Sequence, residues 1–578
     1  MNSGELIADV LKKQNVKFLF TLCGGHISPI IVGAKKEGLR VIDVRHEATA
    51  VFAADAISRL TGIPGVAAVT AGPGVTNSIT AVKNAQMAQS AIIILGGAAA
   101  TMLKGRGALQ DIEQIELYKT ITKWVVSIEQ DCDIVPILEE AFDVAMSGIP
   151  GPVFIECPID LLYDEQLVKK WYGIYTRNAH SDSIKDKITN LYVRRHIDKL
   201  FACSPKKTEI PEPSEITPFL IDQQKIQIAA SQINNVSKPL LIIGSQAMLR
   251  IEEIFRLKSA INKMGIPTYC TGMARGLLGD HNPLQFHHKR TSALKKADLV
   301  ILAGVPLDFR LDYGRSINED AFLITINRDK EVLSKNKKAD LGIQADPSIC
   351  FQEIAKISTH EAKYNSWIKI LNENEGEGEK KIQKFLEIQT NFINPLILCQ
   401  KINKYIDDNS IIIGDGGDFI ATASYMVKPK KPLGWLDPGP YGTLGVGAGF
   451  ALAAKLTHPD TEVWLLYGDG AAGYSIMEFD TFCRHNIPII SVIGNNACWG
   501  QIARDQISYL NDDVGTVLKY SNYDLVVQGL GAKGFSIDNE NQIDKFLKLA
   551  KNHAKEGYPT LINALIGNTG FRKGSISM

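Results

Sequence analysis

Two apolar runs bracket one short motif and leave little freedom for the fold around it. Glu462–Tyr467 ends in Gly468-Asp469-Gly470, helical spacing follows from Tyr474 to His485, and Ile487–Gly494 ends in Asn495-Asn496. Each run is apolar at successive positions, which predicts strands covered on both faces rather than strands with one wet side. Parallel strands joined by a helix put both motifs on the carboxyl edge of one sheet, where open α/β sheets bind ligands.

The residue types at that edge suit a metal ion and an anion. Asp469 and the Asn496 amide are hard oxygen ligands of the kind octahedral Mg2+ takes. Gly470 and Ala471 carry so little side chain that their N–H groups can approach an anion at a helix start. Between Gly470 and Asn495 lie 24 residues, 471 to 494.

The chain around this unit is 578 residues long, enough for about three or four domains. Its 63 basic and 63 acidic residues cancel, so no charge excess points to nucleic acid or to an anionic membrane. Nine cysteines with no C-x-x-C pair predict free thiols in a reducing compartment. The amino terminus reads directly as a helix capped by Ser3, with Leu6, Ile7, Val10 and Leu11 on its apolar face. Neither a signal peptide nor an 18-residue apolar run is found, so the expectation is a soluble, cytoplasmic protein without a membrane anchor.

Residues 1–168 alternate strand and helix, with strands expected at Phe18–Leu22, Val41–Val44, Val66–Thr70, Ala91–Leu95 and Val153–Glu156. Residues 169–218, rich in Lys, Arg, Asn and Ser, read as an extended linker. Alternation resumes over 219–365, with strands expected at Pro239–Gly244, Leu299–Ala303 and Ala321–Ile326. The charged stretch in 366–389 reads as a solvated linker. A third unit covers 390–568, with a tail at 569–578. The architecture expected is α/β: three doubly wound parallel-sheet domains, the first and third alike in element order.

A second half-site lies in the first unit. His46-Glu47 stands where the strand Val41–Val44 gives way to an Ala-rich helix, Ala48–Leu60, stopped by Gly62. The helix face around Glu47 is small or apolar, so a carboxyl there would be desolvated. Thr70-Ala71-Gly72-Pro73-Gly74-Val75-Thr76-Asn77 follows the next strand, and Thr443-Leu444-Gly445 precedes the Asp469 motif within a glycine cluster.

Together these motifs resemble the thiamin diphosphate (ThDP) enzymes of the acetolactate synthase superfamily. The resemblance implies that residues 1–168 bind the pyrimidine and 390–568 the diphosphate, and it places the family's catalytic glutamate on Glu47. A carboxyl bonded to the aminopyrimidine favours the imino tautomer that deprotonates the thiazolium. The resemblance also implies cofactor contacts at Gly25, Pro73, Asn77, Gly417, Asp418, Leu444, Gly470, Ala471 and Trp499. Mg2+ would be held by Asp469, Asn496 and the Cys498 carbonyl. The pyrimidine domain of one subunit then meets the diphosphate domain of another, so a homodimer or homotetramer is expected.

Local features select within the superfamily. His26 enters the reacting region in Phe20–Pro29, and Gly107-Ala108-Leu109-Gln110-Asp111 matches the loop that supplies a glutamine over the thiazolium. Leu109 and Asp111 depart from the Phe-Gln-Glu of acetolactate synthases, and no Glu-Gln-Gly follows Asn495-Asn496. With Asp160–Tyr163, Asp308-Phe309-Arg310 and Phe571–Ser577, the chain is similar to the acetolactate-synthase-like 2-hydroxyacyl-CoA lyases. That implies cleavage of a 2-hydroxyacyl-CoA to an aldehyde and formyl-CoA, with His26, Gln110 and Asp111 near the reacting carbons and the tail over CoA phosphates. The alternatives are an acetolactate synthase acting on 2-oxo acids, an oxalyl-CoA decarboxylase and a non-catalytic subunit. In the middle unit, Gly272–Gly276 suggests contact with an ADP group, whether of CoA or of FAD.

Overall fold

The computed structural model describes residues 2–173, 184–203, 210–214, 219–358 and 364–574, with the side chains of 184–187 outside the description. It divides into two compact units, 1–217 and 218–578.

The first unit is built on one all-parallel sheet. Its strands are β1 (Phe18–Thr21), β2 (Arg40–Asp43), β3 (Gly65–Val69), β4 (Ile92–Ala98), β5 (Trp124–Ser127) and β6 (Val153–Pro158), in the order β2-β1-β3-β4-β6-β5. The central strands β3, β4 and β6 are buried along their whole length, as their unbroken apolar runs require. Helix Glu47–Thr61 lies against β3 so closely that a Cβ on Gly65 would sit 1.9 Å from the Ala54 carbonyl oxygen. Its Asp55 and Arg59 form a buried ion pair, and Asn84 donates to Asp55. Asn2, not Ser3, caps the first helix: its side chain accepts from the Glu5 N–H, and Glu5 accepts from the Asn2 N–H in return.

The second unit carries two sheets. The middle one has β7 (Pro239–Ile243), β8 (Thr268–Cys270), β9 (Leu299–Ala303), β10 (Phe322–Asn327) and β11 (Leu341–Gln344), in the order β11-β10-β9-β7-β8. The last has β12 (Ile411–Gly414), β13 (Trp435–Leu436), β14 (Val463–Gly468), β15 (Ile490–Asn495), β16 (Lys533–Ile537) and β17 (Thr560–Leu565), in the order β13-β12-β14-β15-β17-β16. Counted from each unit's first strand, the first and last sheets have the same order. Three parallel α/β sheets are therefore present, as expected, and the likeness of the outer two extends to topology.

Three expectations are corrected. The 366–389 stretch is helical rather than a loose linker: Asn365–Leu386 is one helix that buries Trp367 and Leu371, an apolar spacing hidden among Glu, Asn and Gly. The 169–218 segment is not simply extended, since helices Glu165–Gly173 and Ile184–Leu200 bury Val168, Tyr172, Val193 and Ile197 together. Residues 210–214 are in neither helix nor strand, and 174–183, 204–209 and 215–218 lie outside the described residues. The cysteines are not all thiols, because Cys132 and Cys203, 71 residues apart, form a disulfide with a Cα–Cα distance of 5.3 Å. No local spacing could have revealed that pair.

Candidate active site

In the last sheet β14 and β15 are parallel neighbours, with Gly468 opposite Gly494. Their carboxyl ends thus deliver Asp469 and Asn496 to one place. Asp469 is buried, and burial pushes its carboxyl up to about 6 against the backbone N–H bonds that pull it down. Its Oδ2 has no hydrogen-bond partner among the described residues. The Asn496 amide lies 3.2 Å from Asp469 Oδ1 and 3.0 Å from the Cys498 carbonyl oxygen, and with its nitrogen toward them it donates to both. Turned over, its oxygen would join theirs as a third hard ligand for a cation. The donor set is therefore one that fits a hard divalent cation.

The surrounding turn is held from outside the motif. Ala497 takes a positive φ of 53°, its N–H donates to Asn495 Oδ1, and Asn495 Nδ2 donates to Asn563 on β17. Trp499 lies over Gly470, where a Cβ would come within 2.4 Å of its ring. This explains why the position carries no side chain and why the backbone there stays open.

Sequence reasoning missed Asp415, the residue directly after β12. It is fully buried and accepts from the N–H groups of Gly416 (2.8 Å), Gly445 (3.0 Å) and Gly447 (2.9 Å). One carboxyl thereby fastens the turn that carries Leu444 to the end of β12. A Cβ on Gly416 would strike Leu444 Cδ2 at 2.2 Å, so strand end and turn are in contact. Burial pushes Asp415 up to about 7. The available signal was a carboxylate after an apolar strand, Ile411–Gly414, with glycines on both sides.

Gly417 has a φ of 105° and opens the helix Asp418–Met426. The Asp418 carboxylate is ion-paired to Arg504 at 2.6 Å, so its own contact with an anion would run through the backbone. Arg504 is a second residue the sequence reading missed. Asp418, Asn496, Arg504, Tyr520 and Arg572 line one cavity of about 1130 Å³. The tail reaches it: Phe571 meets the Phe385 and Tyr425 rings edge-on, and the Arg572 guanidinium lies 5.4 Å over Tyr425. Ser575–Ser577, expected to belong to the same tail, lie outside the described residues.

The first unit gathers its own half-site at the carboxyl edge of β1, β2, β3 and β4. Glu47 is 7% exposed, and Asn77 Nδ2 donates to its Oε2 at 3.0 Å. Pro73 opens the short helix that carries Asn77. The Gly74 turn packs closely on Thr70, whose Cγ2 a Cβ there would meet at 2.9 Å, and lies beside the other Glu47 oxygen, Oε1. His26 sits in the turn Gly25–Ile27, its Nδ1 3.3 Å from Thr70 Oγ1, and burial lowers its pKa, favouring the neutral ring. Gln110 has a φ of 63°, and its carbonyl would be 2.8 Å from a Cβ on Gly72. The glutamine loop thus leans on the Gly72-Pro73 turn. Asp111 is turned away into its own loop, accepting the Gly105 N–H.

The middle sheet contributes a separate cavity of about 500 Å³, lined by Arg275, His287, Arg290, Tyr425 and Lys428 among others. Arg275 stacks 4.0 Å over Trp435 and donates to the Ser424 carbonyl. Burial lowers Arg275 to about 10 and His287 to about 3, which leaves a cation and a neutral ring at neutral pH. Among the described residues no helix is long and apolar enough to cross a membrane.

Comparison with known proteins supplies the last observation. The chain matches three family descriptions: "Thiamine pyrophosphate enzyme, N-terminal TPP binding domain" over residues 1–117, "central domain" over 226–354, and "C-terminal TPP binding domain" over 415–564. It is 45% identical to a 2-hydroxyacyl-CoA lyase 2 of Danio rerio, over 100% of this chain and 93% of that one. The human protein of that name is 43% identical, over 100% and 92%. An acetolactate synthase large subunit of Mycobacterium tuberculosis is 30% identical, over 98% and 96%.

Proposed function

The chain belongs to the thiamine pyrophosphate enzyme family, and from that premise we propose that it is a ThDP-dependent lyase cleaving 2-hydroxyacyl-CoA to an aldehyde and formyl-CoA. The observation that carries the reaction class is its whole-length likeness to 2-hydroxyacyl-CoA lyases, which exceeds its likeness to acetolactate synthase.

ThDP, when bound, would supply a nucleophilic carbon and an electron sink for carbon–carbon cleavage. The protein's part is to hold, shield and move protons. Asp469, the Asn496 amide and the Cys498 carbonyl would hold Mg2+ at the diphosphate end. The N–H groups of Gly417, Gly470 and Ala471 and the flank of Trp499 complete that end. Leu444 would support the cofactor, and Gly25 and Pro73 would border its pyrimidine end. Glu47, buried and fixed by Asn77, would exchange a proton with the pyrimidine end through its carboxyl. His26, with a neutral ring, can accept the substrate hydroxyl proton, and Gln110 orients the thioester. Asp111 acts within its loop.

Arg572 and Lys573 of the tail attract CoA phosphates and close the large cavity against water. The middle-domain cavity, with Arg275, Arg290 and Lys428, takes an ADP group, of CoA or of FAD. The active species is a cytoplasmic homodimer or homotetramer with each site between subunits.

Product analysis by mass spectrometry, with ThDP and Mg2+ present, tests the reaction. A 2-hydroxyacyl-CoA should yield formyl-CoA, or formate from its hydrolysis, and a shortened aldehyde. Acetolactate formed from pyruvate, with no cleavage of the thioester, would reassign the chain to the synthase reaction.

A further inference from the structure

The helices Glu165–Gly173 and Ile184–Leu200, in the segment whose composition suggests a linker, reach the loop that carries Gln110. Asp160, just past β6 and 1% exposed, receives three hydrogen bonds on its Oδ2. They come from the Thr101 N–H (3.0 Å), the Thr101 hydroxyl (2.5 Å) and the Tyr172 hydroxyl (2.7 Å). The Thr101 hydroxyl has one proton and gives it to Asp160. Its contact with His196 Nε2, at 2.7 Å, is therefore one in which the imidazole donates. Thr101 opens the stretch from β4 to Gln110, and Lys104, three residues on, is ion-paired to Glu156 at the end of β6.

Helix Ile184–Leu200 is in turn fastened at two levels. Val193 and Ile197 pack on Val168 and Tyr172, and beyond its end the Cys203–Cys132 disulfide and the Cys203 N–H bond to Asp131 Oδ1 tie it down. Gln110 lies against the Gly72 turn, and its neighbour Leu109 is 81% exposed. The loop's anchorage therefore lies at its root, where His196 meets Thr101.

The geometry points to His196 and Thr101 as positioning residues that set the Gln110 loop over the site through the Asp160–Tyr172 cluster. This rests on the role proposed above for Gln110. Neither residue touches substrate; both act by holding the loop root, and a small displacement of a positioned group is costly to turnover.

His196→Ala, His196→Gln and Thr101→Val in the full chain with ThDP and Mg2+ test this, each checked for its thermal midpoint. His196→Ala should raise hydrogen–deuterium exchange in the 99–113 peptide. It should lower kcat/KM for a 2-hydroxyacyl-CoA by about ten- to a hundredfold while ThDP affinity by calorimetry stays within about twofold. Thr101→Val should do the same, and His196→Gln, whose amide can still donate, should recover most of the loss. Unchanged exchange at 99–113 in His196→Ala, or a loss of turnover matched by loss of ThDP affinity, overturns the assignment. Gln110→Ala separates the two readings. Full turnover in that variant, with exchange still raised in His196→Ala, retains the brace and removes the role given to Gln110.

Discussion

Glu47 accepts the Asn77 amide on Oε2, and its Oε1 lies beside the Gly74 turn. Glu47→Gln keeps the size and the contact but cannot exchange the proton. It should therefore bind ThDP with near-wild-type affinity while losing at least about a hundredfold in turnover; unchanged turnover would remove Glu47 from the chemistry. Asp415 yields a pH prediction. Its carboxyl ionises near 3.8 when unfolded, and burial raises it to about 7 in the fold. Between those values the folded state holds the extra proton, so this group's contribution to stability falls as pH rises from about 4 to about 7. Thermal midpoints of wild type and Asp415→Asn across that range should show the variant with the shallower decline. Parallel curves would mean that Asp415 does not titrate there. Glu47, Asp469 and Asn496 were legible in the sequence because each ends a strand or starts a helix within a recognisable spacing. Asp415 was not, because its partners Gly445 and Gly447 lie 30 and 32 residues on and meet it only in the fold.

The helix that begins at Glu47 owes its position to an approach that only glycine permits. A Cβ on Gly65 would lie inside the Ala54 carbonyl, a backbone atom that cannot swing away. Gly65→Ala should therefore destabilise the first unit by about 1–3 kcal/mol, the cost of overpacking a filled core, with a lowered thermal midpoint as the readout. A midpoint equal to wild type would show that β3 and the helix can separate freely. The central strands were readable because unbroken apolar runs suit strands covered on both faces. The edge strands β5, β13 and β16 escaped notice: β13 has two residues, and β5 and β16 are only partly covered. Helices 184–200 and 365–386 escaped for the opposite reason, since one narrow apolar stripe supports each and charge dominates the rest.

The two halves of the proposed site lie on different compact units, Glu47 on the first and Asp469 on the second. If each site forms between subunits, a chain lacking Glu47 and a chain lacking Asp469 can complement one another. Glu47→Gln and Asp469→Ala, each inactive alone, should on mixing through unfolding and refolding recover about a quarter of wild-type activity. Half the dimers are then mixed, and each of those has one intact site of two. No recovery from mixtures shown to contain mixed dimers would place both halves of the site within one chain. Asp469→Ala alone should lose Mg2+-dependent ThDP binding by calorimetry.

What the linear chain settled was whatever is encoded over short range. Hydrophobic period and glycine placement were enough for three parallel sheets and a likeness between the outer two, and the family of the site came from the resemblance of the motifs around Glu47 and Asp469. These are local because strand burial and helix starts are decided by residues a few positions apart. Folding alone decided which distant groups meet. The Asp415 clamp on the Leu444 turn, the Arg504–Asp418 pair, the Cys132–Cys203 disulfide and the His196–Thr101 contact each join residues 30 or more positions apart. Contacts of that kind carry no periodic signal, because their geometry comes from the packing of whole elements on a sheet.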